Sequence, residues 1–356
     1  MRIAIDISQI VYATGVSTYT KELVGNLIKI DKENEYVLFG GSLRRKKELR
    51  EFIGSVSCEH VSGLVLPLAP TLADILWNKM HVYPLEKILG KVDVFHSSDW
   101  TQPMSNAYKV TTVHDLAYIK FPELTPGKIS ATHKRRLKLV KNEVDTIIVP
   151  SKQIESELME NGFDHKDIVV INEAASSQFN RVSQDEAKKI KKKYGKFILC
   201  VGVNPRKNTQ RSLAAFNKLK LGGYKLLLVG QPHGLEVKET PKIRILGHVS
   251  DDELSGLYTC ADVFLYPSLY EGFGIPILDA FKIGVPVVTS NVGCMREIAA
   301  GASVLVDPRN VDSIACGITK ALKEKKDLIV KGFARQKDYS WEKMAKETLK
   351  VYTRSV

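Results

Sequence analysis

Apolar, β-rich runs alternate with helix-patterned segments along almost the whole chain, and that alternation leaves few architectures open. Strands separated by helices pair in parallel, with the helices covering the faces of the sheet. In the first half the strand runs are residues 2–6, 35–39, 92–96, 109–114 and 146–149, with a helix predicted over 17–30. A helix over 151–161 and a strand over 168–171 follow. Residues 172–187 are small, polar and charged with no sustained period, so they read as an interdomain linker. A second series opens at 196–202 and continues at 225–229, 243–246, 263–266, 287–289 and 303–306. The last patterned segment, 341–352, is helical. With 356 residues the chain has room for two α/β domains, each burying its own core. The expected division is 1–172, 173–340 and a tail over 341–356. Doubly wound sheets bind ligands outside the carboxyl ends of their strands, so two of them predict a cleft between the domains.

Hydrophobic residues make up 44% and charged residues 26%, which fits a globular protein and excludes a disordered one. The best candidate for a membrane span, residues 63–77, contains Pro67, Pro70 and Asp74 and is too short. The amino terminus begins at once as a strand, which leaves no room for a signal peptide. Five cysteines form no CxxC pair and no metal-ligand spacing. Cys200, Cys260 and Cys316 read as small core residues, and the set fits a reducing, cytoplasmic setting. The net charge of +12 calls for an anionic partner. Basic runs lie at 44–47, 133–136 and 188–193, but no nucleic-acid-binding motif accompanies them. Nucleotide diphosphates and an anionic lipid surface are the preferred partners; a solvated helix face is the plain alternative for each run.

Residues 266–279 carry the densest chemistry. Glu271 stands directly before the turn Gly272-Phe273-Gly274, and Asp279 lies two helical turns further on. The preceding run is a buried strand, and Ile275-Pro276 begins a helix. A strand, a glycine turn and a helix start together present backbone N–H groups and a positive dipole end, which suits a phosphate. The flanking carboxylates can then hold sugar hydroxyls. The plain alternative is a tight turn whose glycines serve packing.

Three further strings follow predicted strands. Val201-Gly-Val-Asn-Pro-Arg-Lys-Asn208 places Arg206 and Lys207 where they can neutralise a diphosphate, each charge-assisted hydrogen bond contributing ~1.5–3 kcal/mol. Val113-His-Asp-Leu-Ala-Tyr118 sets His114 at a strand end, able to bond a sugar hydroxyl, with Asp115 holding the turn. Ala13-Thr-Gly-Val-Ser-Thr18 has Gly15 for close backbone approach and Ser17 or Thr18 as helix cap. His96 and Asp99 can face an acceptor or serve structure.

Together these strings, in this order, resemble the retaining GT-B glycosyltransferases of family 4, the glycosyl transferases group 1, and especially their mannosyltransferase-like members. Glu271 and Asp279 stand at the ends of that family's Glu-x7-Glu signature, and Pro205 to Asn208 match its Pro-Arg-Lys-Asn pattern. Residues 291–297 and Tyr339-Ser-Trp-Glu342 match two further runs, with Glu297 structural and Trp341 a packing anchor. The resemblance implies two Rossmann-like domains facing a cleft, with the tail helix packing back on the first. It implies metal-independent transfer of a hexose, mannose or glucose, from a GDP- or UDP-linked donor, with no cofactor. By the same resemblance Lys207, Glu271 and His114 are catalytic, while Arg206, Gly272, Phe273, Gly274, Ile275, Asp279 and Gly15 bind the donor. The acceptor is a glycan, a lipid-linked sugar or a small molecule, and the first domain can dock on an anionic membrane through residues 63–77 and 133–136. The sequence departs from the pattern at Val203, where many relatives carry arginine, and at Asp279, where they carry glutamate. Those departures keep a nucleotide-sugar-binding protein without turnover in view, beside a GT-B phosphorylase.

Overall fold

A computed structural model gives the fold and describes residues 1–12 and 14–355. Ala13 of the 13–18 string and Val356 of the tail lie outside the described residues. The chain forms two compact units, one of Met1–Glu173 with Trp341–Val356 and one of Ala174–Ser340.

In the first unit the strands are β1 (Arg2–Asp6), β2 (Glu35–Gly41), β3 (Val61–Leu66), β4 (Val94–Ser97), β5 (Tyr108–Thr112), β6 (Thr146–Val149) and β7 (Ile168–Val170). They form a seven-stranded sheet in the order β3-β2-β1-β4-β5-β6-β7, and the paired strands run parallel. In the second unit the strands are β8 (Lys196–Val201), β9 (Tyr224–Val229), β10 (Ile243–Gly247), β11 (Val263–Tyr266), β12 (Val287–Ser290) and β13 (Val304–Val306). Their order is β10-β9-β8-β11-β12-β13, again parallel. The central strands β4, β6, β11 and β12 are buried along their whole length. Helices cover both faces of such strands, so they read as continuous apolar runs rather than alternating ones.

Two sequence expectations need correction. The strand β3 overlaps the start of the 63–77 segment, read only as a proline-broken apolar stretch. It is an edge strand with much of its surface exposed, and Gly63 weakens its pattern; an added Cβ there would sit 2.5 Å from Ile53 Cγ2. The linker expected over 172–187 is shorter, because a helix begins at Gln184. Ser183 and Glu186 form a capping box for Gln184–Tyr194, which propensity alone under-weights.

The first unit is closed by the tail. Helix Trp341–Tyr352 packs on helix Gly15–Ile30, with Trp341 edge-on to Tyr19 at 6.5 Å. At its end the Tyr352 hydroxyl meets His96 Nδ1 at 2.6 Å, and His96 Nε2 meets Thr112 Oγ1 at 2.9 Å. The Tyr19 hydroxyl meets the same threonine at 2.9 Å. Burial pushes the His96 pKa down to about 3, so the ring is neutral and both nitrogens serve this network. His96 is therefore a structural residue. Tyr352→Phe leaves His96 Nδ1 without its partner and should destabilise the protein by about 1–3 kcal/mol. Urea denaturation checks this, and an unchanged midpoint would contradict the role given to the tail.

Candidate active site

The richest polar cluster of the second unit grows from the loops after β8 and β11. These strands are neighbours, and the strand order reverses between them, where ligands of doubly wound sheets bind. After β8 the backbone turns at Gly202, with φ +87°, where an added Cβ would come within 2.9 Å of Lys207 Cγ. Glycine lets the loop fold over so that the lysine stem lies across it. Asn204 Oδ1 accepts the Lys207 N–H at 2.9 Å, and Asn208 adopts a left-handed conformation before helix Thr209–Leu219. The Asn208 amide donates to the carbonyls of Pro267 at 3.0 Å and Pro308 at 2.5 Å, tying this loop to the one after β11.

Glu271 sits in that second loop, buried, with both oxygens engaged. Lys207 Nζ lies 2.7 Å from Oε1 and Arg206 Nη1 lies 3.0 Å from Oε2. Arg206 Nη1 also donates to the Tyr270 carbonyl at 3.0 Å, and Lys207 Nζ donates to the Tyr266 hydroxyl while lying 4.5 Å from its ring centre. Burial works against the Glu271 charge, but the two cations outweigh it and hold the pKa down to about 2. The result is an ionised carboxylate bridging two cations.

Beyond Glu271 the chain turns at Gly274, with φ +117°, into helix Ile275–Ile283. No side chain caps this helix start, so its dipole end is presented by backbone alone. Phe273 and Ile275 are buried, Phe273 edge-on to Tyr339 at 5.8 Å, and they anchor the turn from behind. What Gly272, Phe273, Gly274 and Ile275 can offer a ligand is therefore main chain. Asp279 is also buried: its Oδ1 accepts the Ser176 N–H at 2.7 Å, and its Oδ2 lies 3.5 Å from the Ser176 hydroxyl. Burial pushes its pKa up to about 7, against the lowering effect of the Ser176 bonds and of Lys282. Lys282 itself donates to the carbonyls of Ser176 and Ser177 at 2.9 and 3.0 Å.

The other two predicted site residues belong to the first unit. His114 Nδ1 lies 3.1 Å from Glu173 Oε1, and its ring stands edge-on to Tyr19 at 4.6 Å. Asp115 Oδ1 accepts the Ala117 N–H at 2.9 Å, as its turn role requires. Gly15 is the first residue of helix Gly15–Ile30, and an added Cβ would meet open space, so packing does not demand glycine. The cap of that helix is Thr14, whose hydroxyl accepts the Ser17 N–H at 3.4 Å. Ser17 is buried and donates to the Ile10 carbonyl at 2.6 Å, so neither it nor Thr18 is the cap.

Two more expectations change. Cys316 is exposed on helix Val311–Lys323 rather than in the core, whereas Cys200 and Cys260 are buried as expected. The basic run 133–136 is not a solvated face, for Arg136 is buried against Thr111 and Arg135 is paired with Asp74. Glu173 went unnoticed in the sequence, and Tyr266 and Asn208, though inside quoted strings, were given no role there. Tyr266 ends β11 directly before the motif, and that position was the available signal.

The comparisons with known proteins agree with this architecture. The family model described as Glycosyltransferase Family 4 matches residues 13–175, and that described as Glycosyl transferases group 1 matches residues 182–336. The O-antigen chain mannosyltransferase B of Escherichia coli is 29% identical over 367 residues, covering 95% of this chain and 96% of the relative. Among solved structures, sucrose-phosphate synthase from Thermosynechococcus elongatus superposes with a TM-score of 0.76 at 18% identity, covering 99% of this chain and 98% of that one. Anabaena HepE in complex with UDP and glucose superposes at 0.70 with 15% identity, covering 99% and 100%. The chain belongs to the family 4, group 1 glycosyl transferases and is a glycosyltransferase of GT-B fold.

Proposed function

We propose that the chain transfers a hexose from a nucleotide-diphosphate donor with retention at the anomeric carbon and without a bound divalent ion. The observation that carries this is the Lys207–Glu271–Arg206 cluster beside an uncapped helix start. Two cations and a positive dipole end suit a leaving diphosphate, whose charge grows as the glycosidic bond breaks. A diphosphate arriving there competes with Glu271 for Lys207 and Arg206. Glu271, kept ionised by the cations still beside it, is then an acceptor for the hydroxyls of the transferred sugar. Within the first unit, Glu173 orients His114, and the open space at Gly15 leaves room for a ligand. HepE, of like fold, was solved with UDP and glucose, and the Escherichia coli relative is named as a mannosyltransferase. GDP-mannose is the donor favoured here, with UDP-glucose second, and the acceptor is a glycan, a lipid-linked sugar or a small molecule. Peripheral docking on an anionic membrane draws its support from the exposed apolar side chains Leu72, Ile75, Met80, Val82 and Tyr83 beside exposed Lys79, not from the run 133–136.

Lys207→Ala and Glu271→Ala should each lower kcat/KM for sugar transfer by about tenfold or more, equivalent to about 1.4 kcal/mol. Wild-type turnover in either variant would refute the assignment. NMR of the product's anomeric proton distinguishes retention from inversion, and activity surviving chelator treatment distinguishes metal-independent transfer from its opposite.

Asp279 is held by the Ser176 N–H, and its protonation offers a separate test. Its folded pKa is about 7 against an unfolded value of 3.8, so between these values the folded state binds the extra proton. Its contribution therefore falls as pH rises from about 4 to 7. Asp279→Asn keeps an oxygen for Ser176 and should flatten that part of the stability profile. An unchanged slope in thermal unfolding across this window would contradict the burial argument.

A further inference from the structure

Lysine carries a compact charge on a flexible four-carbon stem, so a lysine that must meet a ligand at one point needs its surroundings to hold it there. Lys207 is held along its stem and at its tip. The stem runs over Gly202, where an added Cβ would fall 2.9 Å from Cγ, 3.4 Å from Cδ and 3.2 Å from Cε. At the tip, Nζ donates to the Tyr266 hydroxyl and lies 4.5 Å from the centre of that ring. Resting on the donor reading of the Lys207–Glu271–Arg206 cluster, we propose that Tyr266 is the positioning residue of this lysine. Its hydroxyl fixes the ammonium while Glu271 and a diphosphate compete for it.

The sheet itself places the phenol. Tyr266 is buried at the end of β11, and side chains two residues apart on a strand share a face. Its ring accordingly stacks on that of Phe264, with centres 5.4 Å apart and 23° between the planes. In the register of β11 with β12 it stands beside Thr289, whose hydroxyl donates to the Tyr266 carbonyl at 2.9 Å. Lys207 belongs to the loop after β8, and the pairing of β8 with β11 brings a loop side chain against a strand end.

The phenol and the carboxylate differ as partners. Glu271 is an anion and offsets the lysine's charge as it binds it. Tyr266 is neutral: burial first, and then the charge of Glu271, push its pKa well above the ordinary value, so the phenol keeps its proton. A neutral acceptor orients an ammonium and leaves its charge for a phosphate. The ammonium carries three donors, so it can keep the phenol oxygen while a phosphate oxygen takes the place of Glu271 Oε1. A lysine leaving the carboxylate is thereby spared a search through its rotamers, which is the gain of preorganisation. Phenylalanine at this position would pack the same ring and lose that gain.

The test titrates the full chain with GDP and with UDP by calorimetry and follows whichever binds more tightly. Tyr266→Phe keeps the packed ring and removes one oxygen. It should weaken diphosphate binding by about fivefold or more. In a Lys207→Ala background the same substitution should change affinity by less than about twofold, because the group it positions is gone. Unchanged affinity in Tyr266→Phe, beside weakened binding in Lys207→Ala, would overturn the proposal and leave the donor reading standing. A loss equally large in the Lys207→Ala background would also overturn it, since the phenol would then act through the loop and not through the lysine. Intact diphosphate binding in Lys207→Ala alone would sink the donor reading, and this proposal with it.

Discussion

The second unit is arranged around one buried carboxylate held by two cations. Glu271 stays ionised in the loop after β11 because Lys207 and Arg206, from the loop after β8, reach both of its oxygens. Removing either cation would leave a charge in a site that burial disfavours. Much of the local structure exists to hold that arrangement. Gly202 lets Lys207 fold across its own loop, Asn208 straps the two loops together, and the hydroxyls of Thr289 and Ser290 fix the carbonyls of Tyr266 and Ser268.

A cation pair already satisfied by an internal carboxylate has a consequence for ligand binding. On the proposed donor reading, a diphosphate does not enter an empty positive site but competes with Glu271 for the two cations. The proposed competition draws on the larger negative charge of a diphosphate and on the helix start at Gly274. In that proposal nucleotide binding and the turning of Glu271 toward the sugar are coupled through the shared cations.

Legibility in the sequence followed burial. The central strands were readable because parallel strands covered on both faces are unbroken apolar runs, and β8 to β13 fall where that pattern predicts. The edge strand β3 was not, since none of its residues is fully buried and Gly63 interrupts it. Lys207, Arg206 and Glu271 were legible because each follows a strand at a carboxyl end. Their mutual pairing was not, for it depends on β8 and β11 being neighbours, a fact of topology rather than of local sequence. The same limit applies to Arg136, which looked like part of a basic surface until the fold buried it against Thr111. It also hid the role of His96, whose partner Tyr352 lies at the far end of the chain.

The most direct test is a crystal structure of the chain with GDP or UDP bound. The account predicts the two phosphates in contact with Lys207 Nζ and the Arg206 guanidinium beside Gly272–Gly274, with Glu271 no longer bridging both cations. A diphosphate bound elsewhere, with Glu271 still holding Lys207 and Arg206, would contradict it.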